Sequence, residues 1–129
     1  MSTIHHLALT ASDLRVSEKF YDAALGPAGF KKVLSDEEIC GWESGEFELL
    51  LYAADDRLRD RKHEIYQPGF HHLAMRVSSR TEVNAVGRAI KAIGGQILEG
   101  PQEYPDYPGK YYAIFFLDPD GLKLEVMCC

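Results

Sequence analysis

The stretch Ile4-His5-His6-Leu7-Ala8-Leu9 returns 66 residues later as Phe70-His71-His72-Leu73-Ala74-Met75. Both copies read apolar-His-His-Leu-Ala-apolar, and together they hold four of the five histidines. The offset is about half of the 129 residues. A chain of this length buries one proper core and is short for two independent domains. The repeat therefore predicts two half-domains sharing one fold, or a fold completed by a second copy of the chain.

Working outward, residues 3–11 alternate with a period of two, which predicts a strand. One face carries Ile4, His6, Ala8 and Thr10, and the other His5, Leu7, Leu9 and Ala11. Ser12 and Asp13 are good helix caps, and Glu18 supplies early acidic charge. Val16, Phe20, Ala23 and Ala24 recur at helical spacing from Leu14 to Leu25, where Gly26-Pro27 stops the helix. Three strands follow, at about 30–35, 38–44 and 46–53, joined by Asp36-Glu37 and Ser44-Gly45. Residues 54–69 are charged and end in Gln67-Pro68-Gly69, a linker with room for a helical turn or two and placed to lie over a cleft.

The second half repeats the order. Phe70–Val77 reads as a strand, Ser78-Ser79 as a cap region, and Val83, Val86, Ile90 and Ile93 as a helical stripe closed by Gly94-Gly95. Strands are expected near 96–99, 110–117 and 121–128, the last two joined by Asp118-Pro119-Asp120-Gly121, a strong turn signal. In the final strands, Phe47, Leu49 and Leu51 align with Leu122, Leu124 and Val126 at an offset of 75. The nine extra residues fall to the Pro/Tyr-rich loop 100–109. On this register Glu125 matches Leu50 and Lys123 matches Glu48. The expected fold is α+β: two βαβββ modules, 1–53 and 70–129, joined by linker 54–69 in a single domain.

The net charge of −6 argues against a nucleic-acid partner. The basic run from Arg57 to His63 is interrupted by Asp60 and reads as solvated linker. No apolar run suits a signal peptide or a membrane span. Three cysteines, with no C-x-x-C pair, fit reduced thiols in a cytoplasmic protein, and the adjacent Cys128 and Cys129 read as incidental.

Chemistry follows from parity. Leu7 and Leu9 must pack under the first helix, and Leu73, Met75 and Val77 under the second. His6 and His72 are then sent to the opposite sheet faces, and Glu125 likewise projects away from Leu124 and Val126. Two imidazoles and a carboxylate on mid-strand positions suit a catalytic divalent metal with open coordination sites. His5 and His71 are expected on the other faces and are set aside as ligands. Arg76 shares the face of His72 and Ala74, placed either to hold a substrate carboxylate or phosphonate or to pair with Glu48. Tyr111, Ala113 and Phe115 should face the cleft if Tyr112, Ile114 and Phe116 face the helices. Tyr104 and Tyr107 lie on a loop long enough to be a lid. Trp42 walls either the cleft or the sheet edge.

These motifs resemble the vicinal oxygen chelate superfamily, which includes glyoxalase I, fosfomycin-resistance thiol transferases, extradiol dioxygenases and bleomycin-resistance proteins. The resemblance covers nearly the whole chain. It is carried by His6-Leu7-Ala8-Leu9 with Asp13-Leu14 and Phe20-Tyr21 behind it, by His72-Leu73-Ala74-Met75, and most specifically by Phe116-Leu117-Asp118-Pro119-Asp120-Gly121-Leu122-Lys123-Leu124-Glu125. It implies paired βαβββ modules forming a curled mixed sheet with a metal cleft, and one divalent ion (zinc, nickel, manganese or iron) on His6, His72 and Glu125. It also implies a homodimer, with modules side by side or swapped between chains. The chain departs from the glyoxalase I pattern where a fourth, glutamate ligand is usual: that position is Leu50. The transferases' cation-binding loop is missing too.

The function expected is a metal-dependent, glyoxalase-like lyase or isomerase acting on a small oxygen-rich substrate. Glu48 is the candidate base, and Arg76, Tyr111, Phe115 and Tyr104 the substrate-binding residues. An Fe(II) extradiol-type dioxygenase is the alternative chemistry. A non-catalytic small-molecule binding protein is the rival from another class.

Overall fold

The computed structural model describes residues 1–129. Strand β1 (His6–Ala11) leads to helix α1 (Leu14–Leu25), then β2 (Lys31–Ser35), β3 (Ile39–Ser44) and β4 (Phe47–Ala53). After the linker come β5 (Leu73–Arg76), α2 (Arg80–Ala92), β6 (Gln96–Glu103), β7 (Tyr112–Leu117) and β8 (Lys123–Cys128). The strands form two four-stranded mixed sheets, ordered β1-β4-β3-β2 and β5-β8-β7-β6. The tandem βαβββ modules are thus present, each contributing an open four-stranded mixed sheet.

The repeat is exact in topology. In each sheet the first strand runs parallel to the last, with Ala8 opposite Leu50 in one and Ala74 opposite Glu125 in the other. The offset of 66 at the first strands and 75 at the last is therefore real. The excess lies between β6 and β7. Three residues, 36–38, link β2 to β3, whereas β6 is longer than β2 and eight residues, 104–111, follow it.

Local chemistry sets the helix ends. The Asp13 carboxylate accepts from the N–H groups of Arg15 (3.1 Å) and Val16 (3.2 Å) and caps α1. Ser79 and Glu82 form a reciprocal capping pair at α2. Ser12 is not a cap. Its hydroxyl and N–H both donate to Asp120, across the two modules. Glu18 is not a solvated first-turn charge either. It is buried against Ser35, Lys32 and Arg15.

One apolar core runs through both modules, from Leu9, Phe20 and Leu25 to Val86, Ile114, Phe116 and Val126. Phe20 of α1 meets Phe116 of β7 with ring centroids 6.1 Å apart. Burial of this kind is the main favourable term in holding the halves together. Polar contacts give it direction. The Tyr21 hydroxyl donates to Asp118 at 2.8 Å, and Asp118 also accepts from the N–H groups of Asp120 and Leu122. The linker is strapped onto the same turn: the His63 N–H donates to the Asp120 carbonyl, Lys62 pairs with the Asp120 carboxylate at 3.0 Å, and Arg59 donates to the Ser12 carbonyl. Gly121, at φ +87°, lets the linker approach, since a Cβ there would sit 2.9 Å from the His63 carbonyl oxygen.

Trp42 belongs to neither the cleft nor an edge. It is buried in the core under α1, its Nε1–H donating to Asp22 at 3.0 Å. Cys40 is buried and free, and the sulfur atoms of the neighbours Cys128 and Cys129 lie against each other. No helix is long and apolar enough to cross a membrane.

Candidate functional site

Strand alternation places the side chains of the second sheet. Ile114, Phe116, Leu124 and Val126 enter the main core, while Ala113, Phe115 and Met127 form a separate apolar cluster on the opposite face, with Tyr104 and Tyr111 against it. Glu125 lies on that second face, opposite Phe115 and Ala74 in register. It is only 2% exposed. His72 stands beside it, with Nε2 3.3 Å from Glu125 Oε1. The other carboxylate oxygen accepts the Tyr111 hydroxyl.

These groups line a cavity of about 530 Å³. Tyr104, Tyr107, Tyr111 and Phe115 wall it on one side, and Ile65 and Tyr66 of the linker on the other. Tyr104 and Tyr107 are stacked at 5.4 Å, and Tyr111 meets Tyr107 edge-on at 4.9 Å. The Tyr104 hydroxyl donates to Glu99 at 2.8 Å. Burial, and then the neighbouring carboxylates, push the hydroxyls of Tyr104 and Tyr111 well above their ordinary range, so both stay protonated hydrogen-bond donors.

Two residues outside the predicted site also line the cavity: His71, expected on the other face, and Lys123, which shares the face of Glu125 by alternation. The parity reading of His71 fails because β5 starts at Leu73, so His71 and His72 precede the ladder and need not alternate. Lys123 extends over Phe115 (5.0 Å to the ring centroid) and Tyr66 (5.2 Å). Tyr66 reaches that place with φ +73°, an uncommon backbone for an aromatic residue. Its signal in the sequence was only the position of the linker. Arg76 lies on the same sheet face, exposed and in no ion pair, so the proposed partnership with Glu48 is not made.

His6 is elsewhere. It opens β1 on the outward face of the first sheet, in register with Glu48 and in line with Ala8 and Thr10, all away from the core. Glu48 borders a second cavity, about 380 Å³, with His5, Glu43 and Glu46. No group of three histidine, cysteine, aspartate or glutamate side chains is arranged to hold a metal ion within one chain. Of the candidate ligands, then, the chain itself unites His72 and Glu125. His6 and Glu48 lie side by side in register on the other module.

The fold agrees with the comparisons. The sequence model of the Glyoxalase/Bleomycin resistance protein/Dioxygenase superfamily matches residues 3–126. The chain belongs to this superfamily. It is 30% identical over 123 residues to the virulence protein STM3117 of Salmonella typhimurium, covering 95% of this chain and 81% of that one. It is 27% identical over 125 residues to the protein YqjT of Bacillus subtilis, covering 96% and 97%. Among solved structures, a glyoxalase/bleomycin resistance protein from Albidiferax ferrireducens superposes with a TM-score of 0.79 at 26% identity, covering 99% of this chain and all of that one. The superfamily contains both lyases and dioxygenases, and its members often use a divalent metal.

A divalent cation suits the donors found here. Glu125 is a buried carboxylate with no lysine or arginine within ion-pair distance. A buried negative charge without a full counter-charge is costly. One imidazole nitrogen and one carboxylate oxygen facing the same cavity, with room beside them, match the ligand preferences of catalytic zinc, nickel, manganese or iron.

Proposed function

We propose that the protein is a metal-dependent, glyoxalase-like lyase or isomerase that acts on a small oxygen-rich substrate. His72 and Glu125 of one copy and His6 of a second copy would hold one divalent ion, in a homodimer. The pairing of His72 with the buried Glu125 at the floor of the cavity carries this reading. The outward face of the first sheet, where His6 and Glu48 are aligned, supports the second copy's part.

When bound, the ion supplies a Lewis acid for one or two neighbouring substrate oxygens. The chain's own residues do the rest. Arg76, unpaired on the same face, is free to hold a substrate carboxylate or phosphonate bidentately. Phe115, Tyr104 and Tyr111 exclude water from the reacting centre and give the substrate an apolar wall. Glu48, delivered beside His6, takes and returns the proton. Leu50, where a fourth ligand is usual, offers no donor, so a coordination position would be left to substrate or water.

The aromatic walls of the cavity favour a second reading, an Fe(II) dioxygenase acting on a ring with adjacent hydroxyls. Oxygen consumption on adding a catechol to iron-loaded protein separates the two.

The first test is elemental analysis of purified protein after dialysis against a divalent-metal mixture. Wild-type protein should retain metal in proportion to its sites, and Glu125→Gln should lose most of it. Equal retention by both proteins, or none by the wild type, would overturn the metal-centred reading.

A further inference from the structure

The histidines are doubled in both modules, and the structure gives the doubling the same form twice. His71 Nδ1 lies 2.7 Å from His72 Nδ1, and His5 Nδ1 lies 2.9 Å from His6 Nδ1. In each pair one ring nitrogen must donate and the other accept. The ring centroids are 4.9 and 5.2 Å apart and steeply inclined, so each pair is an edge contact and not a stack. The consequence is directional. With Nδ1 engaged by its neighbour, His72 is left with Nε2, the atom that faces Glu125. His6, its Nδ1 likewise engaged, is left with Nε2.

His71 is itself held. Tyr66 packs on it with ring centroids 5.2 Å apart, and Tyr66 is anchored in turn by Lys123. Glu125 has a partner of the same kind. Tyr111 takes Oε2, which leaves Oε1 as the oxygen turned toward His72. Tyr111 is fixed by the loop that the second module adds, closed at its base by the Tyr104 N–H donating to the Tyr111 carbonyl at 2.9 Å. The short link 36–38 of the first module supplies no such residue, and Leu50 there needs none.

We propose that His5, His71 and Tyr111 are positioning residues, each of which engages one donor atom of His6, His72 or Glu125 and so leaves the other free for a divalent cation. This rests on the metal-centred reading above and adds to it why each histidine is doubled and what the long loop is for. Partners of this kind fix ring tautomer and carboxylate orientation, and their loss lowers metal affinity about 10- to 100-fold.

The test is a Co(II) titration of the metal-stripped protein, read by its ligand-field absorption and by competition with a chromophoric chelator. His71→Ala and Tyr111→Phe should each weaken Co(II) binding about 10- to 100-fold and alter the absorption band, while His71→Asn, which keeps a polar partner for Nδ1, recovers part of the loss. The thermal melt of metal-free His71→Ala should stay near wild type, because His71 is exposed, whereas Tyr111→Phe leaves one oxygen of the buried Glu125 without its donor and should melt lower. Wild-type affinity and spectrum in both His71→Ala and Tyr111→Phe would overturn the positioning role and leave the metal reading standing. A wild-type protein that takes up no Co(II) would overturn both.

Discussion

Glu18 shows how far a single side chain departs from its sequence reading. As a helix residue five positions after the cap, it looks like ordinary surface charge. In the fold its carboxylate is buried and accepts from Ser35, with Lys32 at 3.0 Å and Arg15 at 2.9 Å. The Ser35 hydroxyl and, against the opposing effect of burial, the Lys32 ammonium hold its pKa down at about 2, from an ordinary 4.5. A carboxylate depressed in the folded state contributes stability above its unfolded pKa and loses it as pH falls through the folded one. Glu18→Gln should therefore cost about 2 kcal/mol at neutral pH, the scale of a charged buried hydrogen bond. The gap between variant and wild type should narrow from about pH 4.5 downward and close near pH 2, measured by urea unfolding at a series of pH values. A gap independent of pH would mean that Glu18 is not charged in the folded protein.

At the scale of elements, the Asp118-Pro119-Asp120-Gly121 turn does more than reverse the chain between β7 and β8. Asp118 accepts from two backbone N–H groups and from Tyr21, while Asp120 accepts from Ser12 and Lys62. The turn thus ties both modules and the linker together. Asp118→Ala would strand the Tyr21 hydroxyl and two N–H groups in a buried place, a loss of about 3 kcal/mol or more. A fall in unfolding free energy, from denaturant titration, of less than a third of that would show that the turn is held chiefly by its backbone. The turn itself was legible in the sequence, as were α1, whose cap and stop signals bracket it, and the two faces of β1, β7 and β8, because alternation is strict once a strand is paired. What failed lay at strand ends and between distant elements. His71 and His72 look like the start of a strand, but β5 begins only at Leu73, so parity gave the wrong face for His71. Trp42 could not be placed because both sides of β3 are buried: Cys40 and Trp42 face the core, and Gly41 faces Leu50. The linker's part in the cavity depends on Tyr66 taking a left-handed backbone that no composition rule foretells.

For the whole molecule, the repeat leaves a question that local patterns do not answer: which module faces which. Within one chain the halves join through α1, α2 and β7, by the contact of Phe20 with Phe116 and the clamps on Asp118 and Asp120. That joint leaves the outward face of each sheet open, with His6 and Glu48 on one and His72 and Glu125 on the other. A site uniting them requires the first module of one copy to cover the second module of another. A twofold dimer would make two such sites at once. The consequence is a complementation that a self-contained chain would not give. His6→Ala and Glu125→Gln chains, co-expressed with different affinity tags and purified through both, form a heterodimer in which one site has lost both residues and the other has lost neither. It should bind metal at about half the wild-type stoichiometry, while each variant homodimer binds weakly. A doubly tagged species no better than the homodimers would place each site within a single chain. Failure to recover any doubly tagged species, with a sedimentation mass near one chain, would remove the dimer and with it the shared site.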